Sequence, residues 1–235
     1  QELSRRDPLG GTTSRRYDTK ANLAAVTDPL GNVTRHTDDD RGNKLSENTP
    51  NGRLTTFTYD DLNRPIKQVD NDVASPTLPT EDVTTEFAYD AAGFQAAVKS
   101  PASGTSTGYR ITRSFFDALG RVTRTIENCT ESGTTPPADP AWKTCSGAGS
   151  KDAATNVETT VTYDADGNRL SVTAPSPAAS NATDFTMVTT RSAYDAAGRL
   201  CRVLENATVD LDGADRCTRT ITGTTTSDVS TRYTY

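Results

Sequence analysis

The chain has one histidine, His36, one methionine and one tryptophan, Trp142. It has no long apolar run either; Leu23-Ala24-Ala25-Val26 is typical. A membrane helix needs about 20 apolar residues, so no stretch reads as one. Basic charge is not in excess: 25 Lys and Arg face 31 Asp and Glu, a net charge of −6 that argues against a nucleic-acid or anionic-membrane partner. Four cysteines without any Cys-x-x-Cys, beside a lone histidine, leave zinc without a ligand set. An initiator methionine and a basic-then-apolar leader are missing at Gln1-Glu2-Leu3, which reads as an internal piece of something longer. Helical periodicity is missing as well. With 33% hydrophobic residues in 235, large apolar side chains are too few for a helical core or a two-sheet sandwich.

A repeat is present in abundance. An aromatic residue, Asp, two variable residues and Gly recur at Tyr89-Asp90 with Gly93, Phe116-Asp117 with Gly120, Tyr163-Asp164 with Gly167 and Tyr194-Asp195 with Gly198, followed by Arg or Asn in all but the first. Weaker copies are Tyr17-Asp18, where Ala21 replaces the glycine, Tyr59-Asp60, where Asn63 does, and Asp38-Asp39-Asp40-Arg41-Gly42. Asp7-Pro8-Leu9-Gly10 and Asp28-Pro29-Leu30-Gly31 add two Asp-x-x-Gly units. The aspartates at 7, 18, 28, 39, 60, 90, 117, 164 and 195 are separated by 11, 10, 11, 21, 30, 27, 47 and 31 residues.

Asp first, Pro second and Gly fourth are the preferences of a type I turn. A left-handed Gly after it forms the bulge that fits a short hairpin to the twist of its strands. Asn63 tolerates that conformation; Ala21 does so poorly. The flanks are β-branched and aromatic with period-two alternation, as in Leu54-Thr55-Thr56-Phe57-Thr58-Tyr59 and Arg121-Val122-Thr123-Arg124-Thr125-Ile126. The expectation is an all-β chain of repeated antiparallel hairpins in one long curved sheet. One face would carry Tyr, Phe, Leu and Val, the other Thr, Arg and Asp, and the sheet must curl or close to protect its edges. Insertions rich in Pro, Ser, Thr, Gly and Ala fall near 71–82, 100–109, 129–156, 174–186 and 205–218.

These Tyr-Asp-x-x-Gly-Arg units, with Thr27-Asp28-Pro29-Leu30-Gly31-Asn32, resemble the rearrangement-hotspot or tyrosine-aspartate (RHS/YD) repeats. The resemblance covers nearly all of residues 1–235 outside the insertions, which are expected to be one repeat domain. It implies a segment of a hollow β-shell, as in bacterial polymorphic toxins, the cocoon subunits of insecticidal toxin complexes and teneurins. In the bacterial members the shell encloses a C-terminal toxin, so the implied partners are neighbouring repeats of the same polypeptide and an encapsulated toxin domain, in a secreted or cell-surface protein. The repeat residues would then be architectural, the aromatics stacking as a ladder, the Asp tying its turn and the Gly permitting the bulge. No enzyme activity and no cofactor is expected. The reading from another class is an adhesive or carbohydrate-binding surface with cell-surface glycans as partners. Trp142 in the longest insertion is its possible ligand contact, against the alternative of a hydrophobic anchor.

Other chemistry is weaker. Cys129 and Cys145, and Cys201 and Cys217, are each sixteen apart and bracket an insertion, which points to two local disulfides; four unpaired thiols are the alternative. Gly104-Thr105-Ser106-Thr107-Gly108 matches a hydrolase elbow in letters but has no downstream histidine and no helix after it. His36 lies in a strand-like stretch with no readable partner constellation. Asp38–Asp40, Asp164 with Asp166, and Asp210 to Asp215 resemble calcium loops without the full ligand register, so no metal site is expected there, with Asp210 to Asp215 alone worth a test. In toxin-bearing relatives a pair of Asp-Pro-x-Gly motifs marks a self-cleaving site at the end of the shell. Here Asp7 and Asp28 lie at the beginning and read as ordinary turns. Asn32, Asn128, Asn181 and Asn206 head glycosylation sequons, which carry meaning only in an animal protein.

Overall fold

The computed structural model describes residues 2–73, 78, 81–102, 108–131, 141–147, 154–176, 186–207, 217 and 229–233. Among the described residues sixteen strands follow one another: β1 (Glu2–Arg6), β2 (Thr12–Tyr17), β3 (Leu23–Thr27), β4 (Val33–Asp38), β5 (Lys44–Asn48), β6 (Leu54–Tyr59), β7 (Pro65–Asp70), β8 (Val83–Tyr89), β9 (Gln95–Pro101), β10 (Tyr109–Phe116), β11 (Val122–Glu127), β12 (Val157–Tyr163), β13 (Arg169–Pro175), β14 (Met187–Tyr194), β15 (Leu200–Glu205) and β16 (Val229–Arg232). One 3-10 turn, Ala141–Thr144, lies between β11 and β12. The strands pair in chain order from β1 to β16, so the sheet is not closed into a barrel. Two compact units are distinguished, Gln1–Ala88 with Val98–Tyr109, and Tyr89–Ala97 with Arg110–Tyr235.

The turns explain the strands. At each Asp-x-x-Gly the Gly N–H donates to the Asp carbonyl and the Asp N–H donates to the residue after the Gly, as in Gly120 to Asp117 (3.0 Å) and Asp117 to Arg121 (3.0 Å). Gly10, Gly31, Gly42, Gly93, Gly120, Gly167 and Gly198 all have positive φ. Asn63 takes the same conformation at φ 61° and Ala21 at φ 68°. A Cβ in this region costs about 1–2 kcal/mol. Replacing Ala21 by glycine is therefore expected to raise stability by about 1 kcal/mol, read as a higher urea midpoint; an unchanged or lower midpoint would contradict it.

One turn escapes the aspartate pattern. The 21-residue step from Asp39 to Asp60 contains Thr49-Pro50-Asn51-Gly52, where Gly52 N donates to the Thr49 carbonyl (2.9 Å) and Gly52 has φ 83°. Threonine takes the first position there, so unit 1 turns every ten or eleven residues from Asp7 to Asp60.

Successive connections of an antiparallel ladder leave from opposite strand ends, and the two ends differ. In unit 1 the turns at Asp18, Asp39 and Asp60 share one edge; in unit 2 those at Asp90, Asp117, Asp164 and Asp195 do. Next to these turns the register slips by one residue, for example between Arg16 and Tyr17, Thr58 and Tyr59, Thr162 and Tyr163, and Ala193 and Tyr194. The turns at Asp7, Asp28 and Thr49, on the other edge, have no slip. The extra residue, such as Ala24 or Leu170, is a bulge that increases local twist on the aromatic edge alone. Every insertion leaves from the opposite edge. After Ala207 the next described strand is β16, which starts at Val229.

The two faces are not divided as the alternation suggests. In unit 2, Arg113 pairs with Ile126 and Phe115 with Arg124, placing arginines and large apolar residues together. The guanidinium carbons of Arg113 and Arg124 lie 5.1 and 4.9 Å from the Phe115 ring centre. In unit 1, the face of Phe57 also carries Thr55, Glu47, His36 and Asp70. A single layer leaves both faces half wet, so arginine stems do the covering that a second sheet would do. Hydroxyls pair across strands, as in Thr173 with Thr189 (2.8 Å) and Thr162 with Ser171 (2.7 Å). Among the described residues, the buried apolar side chains of unit 1 are Ala25 and Ala88. Those of unit 2 are Ala96, Ala97, Ile111, Ile126, Cys129, Trp142 and Cys145, with Ala193, Cys201 and Leu204 forming a cluster of their own.

Candidate functional site: the repeat turns and the insertion edge

Each repeat aspartate divides its two oxygens. Oδ1 accepts from the backbone N–H groups two and four residues on, as Asp60 does from Leu62 (3.0 Å) and Arg64 (2.9 Å). Oδ2 accepts from the side chain of the residue four on: Arg64 Nε at 2.8 Å, Arg121 Nε on Asp117 at 2.7 Å, Arg199 Nε on Asp195 at 2.8 Å, and Asn32, Asn43 and Asn168 on their aspartates at 2.8–3.0 Å. This is why Arg or Asn follows the glycine. At Asp90 that place is Phe94, whose ring packs on Phe116 at 5.0 Å between centres. A Cβ on Gly120 would come within 2.7 Å of Phe94, so this glycine also serves close approach.

These bonds hold the carboxyls of Asp28, Asp39, Asp60, Asp117 and Asp195 below the usual range. The foremost cause is the Asn32 and Asn43 side chains for Asp28 and Asp39, and the N–H groups of Arg64, Arg121 and Arg199 for the other three. A lowered folded pKa contributes stability that is complete above the unfolded aspartate value of about 3.9 and is lost as pH falls through the folded value. Melting temperature is thus expected to be level on this account from pH 7 to about pH 4 and to drop below it. Asp195→Asn should blunt that drop, and an undiminished drop in this variant would remove Asp195 from the explanation.

The tyrosine ties one hairpin to the next. Tyr59 donates through its hydroxyl to the Lys44 carbonyl (3.0 Å), Tyr163 to Val122 (2.9 Å) and Tyr194 to Arg169 (3.1 Å). In each case the acceptor is the fifth residue after the preceding repeat's aspartate. Arg121 adds a second link, donating to the Asp164 carbonyl (3.2 Å) with its guanidinium 4.6 Å from the Tyr163 ring centre. In unit 1, Arg41 donates to the Asp61 carbonyl (3.2 Å), and Lys20 pairs with Asp40. Where a stacked ladder of rings is expected, Tyr59, Tyr163 and Tyr194 are thus joined to the backbone through their hydroxyls.

Cys129 is bonded to Cys145 and Cys201 to Cys217. Trp142 is 1% exposed, so no indole face is open to a sugar or a partner. His36 Nδ1 lies 3.5 Å from Glu47 Oε2, too far for a hydrogen bond. Asp7 and Asp28 accept from their own turns: Leu9 (2.9 Å) and Gly11 (2.8 Å), Leu30 (2.9 Å) and Asn32 (2.9 Å). Asp39 caps its turn as well. No group of His, Cys, Asp and Glu suited to a metal is found among the described residues. Ser106, Asn181 and the Asp210 to Asp215 cluster lie outside them. Sequence reading missed the Thr49 turn, whose signal is Pro50 and Gly52, and the left-handed asparagines Asn71, Asn128 and Asn206, each preceded by Asp or Glu at a strand end.

An open antiparallel ladder stitched by Tyr-Asp-x-x-Gly turns defines a class, the hairpin-repeat ladder. Residues 38–72 match the family model of the RHS Repeat, and the resemblance of the chain to RHS repeats is borne out. Among solved structures the chain is similar to TcdB2-TccC3-Cdc42 (TM-score 0.57, 18% identity, 94% of this chain and 10% of that one). It is equally similar to TcdB2-TccC3 without its hypervariable C-terminal region (0.57, 19%, 94% and 10%). The Photorhabdus luminescens Tc holotoxin pore, carrying a TccC3 variant, follows (0.55, 19%, 83% and 9%). At these identities the likeness is one of fold, and the chain spans about a tenth of the length of those chains. No curated protein matches. Among the described residues, no helix is long and apolar enough to cross a membrane.

Proposed function

We propose that this chain is wall: a structural segment of a secreted or surface-associated bacterial RHS-repeat protein whose shell encloses or presents a C-terminal toxin. The observation that carries the proposal is the use of the repeat residues. Motif side chains close turns or join neighbouring hairpins, as with Asp117, Arg121 and Tyr163, which supports a structural role. A binding surface built on Trp142 has less support, because the indole is buried.

The test uses the complete parent polypeptide, with a protease added under native conditions. Enclosure predicts that the C-terminal segment resists digestion until the shell is unfolded by acid or denaturant. Digestion of that segment at the same rate in native and unfolded protein would overturn the proposal.

A further inference from the structure

We propose that the insertion edge carries a length-independent lock, at which the wall accepts extra polypeptide without disturbing the sheet below. Among the described residues the lock is complete once in each unit, with the same bonds. In unit 1, Asn71 leaves β7 at φ 55° and Asp82 returns to β8 at φ 50°. In unit 2, Asn128 leaves β11 at φ 49° and Asn156 returns to β12 at φ 51°.

Three hydrogen bonds close each lock. The return residue's N–H donates to the exit residue's carbonyl: Asp82 to Asn71 at 3.0 Å, Asn156 to Asn128 at 3.1 Å. The residue after the exit donates to the strand beside it: Asp72 to Leu54 at 2.9 Å, Cys129 to Ile111 at 2.9 Å. The return side chain's Oδ1 accepts from the second residue after the exit: from Val73 at 2.8 Å and from Thr130 at 2.6 Å. Only Asn and Asp combine tolerance of the left-handed region with an oxygen at that reach.

The enclosed lengths differ widely, ten residues between 71 and 82 and twenty-seven between 128 and 156. Equal geometry around unequal loops means that the sheet's bonding is completed beneath the loop. Register agrees, since Asp70 pairs with Val83 and Glu127 with Val157. A third copy begins identically: Asn206 has φ 52°, Ala207 N–H donates to Thr189 (2.7 Å), and Glu205 pairs with Val229. The residue before Val229 in the sequence is Asp228, outside the described residues. The aromatic edge has no such device, because its turns are closed by the tetrad itself.

The test compares sites in the full chain. Residues 74–81 are replaced by a twenty-residue Gly/Ser segment, and the same segment is placed separately between Ala91 and Ala92. Folding is followed by circular dichroism, melting temperature and disulfide mapping. The expected result is a shift of no more than about 3 °C at the lock, the cost of a longer loop alone, and a larger loss at the Tyr89 turn. Adding Asp82→Ala to the lengthened lock should lower the melting temperature further, and Asp82→Asn, which copies Asn156, should restore it. Equal losses at the two sites, or indifference of the lengthened chain to Asp82→Ala, would overturn the proposal.

Discussion

Replacement of Trp142 by alanine is expected to destabilise the chain by about 3–5 kcal/mol, the cost of emptying a fully buried aromatic site. A one-layer sheet has few places where a side chain is out of water on all sides, and the indole occupies one of them. It sits in the Ala141–Thr144 turn, three residues before Cys145, and Cys129, Cys145, Ile111 and Ile126 are all within 1% of complete burial. Trp142 and Cys145 thus supply buried apolar groups that the strands by themselves lack. Urea unfolding followed by far-ultraviolet circular dichroism measures the loss, since the variant has no tryptophan left to report it. Trp142→Phe should recover a large part of it. A change below about 1 kcal/mol for Trp142→Ala would mean that the indole is a surface group, and the binding reading would regain its main residue.

Removal of the Cys129–Cys145 bond is the second large effect. The two cysteines are sixteen residues apart, and a cross-link closing a loop of that size contributes about 3 kcal/mol, chiefly by restricting the unfolded chain. The double variant Cys129→Ala, Cys145→Ala should lose about that much, and it should also raise the exposure of Trp142, seen as a red shift of emission. The bond in the wild type should resist small thiols, because both sulfurs are buried. Cys201–Cys217, whose second cysteine is partly exposed, should be reduced first. Alkylation during a reductant titration, read by mass, gives the order; loss of Cys129–Cys145 first would contradict this account of accessibility.

Much of the fold is legible because its determinants are local. Asp117, Gly120 and Arg121 lie within five residues, and all the bonds that close their turn are made among residues 117–121. Their chemistry can therefore be read in order along the chain. The cysteine pairs were legible for the same reason, each spanning a single insertion. The Thr49 turn was not legible in the same way, because it lacks the aspartate that marks the others and its hydroxyl donates to the Arg53 carbonyl instead. The mixed composition of the faces was misread because period-two alternation tells which residues share a face, but not that no second layer covers it.

The sequence by itself determined where the backbone reverses, which residue types close each reversal, and that the product is a ladder of hairpins, since each of these is set by neighbours a few positions apart. Tertiary structure decided what depends on residues far apart in the chain: that Tyr163 reaches Val122, that insertions leave from one edge only, that Arg113 and Arg124 flank one ring, and that Asn128 closes on Asn156. Such contacts follow from register and strand order, which arise only once the strands are paired, so no window of consecutive residues contains them.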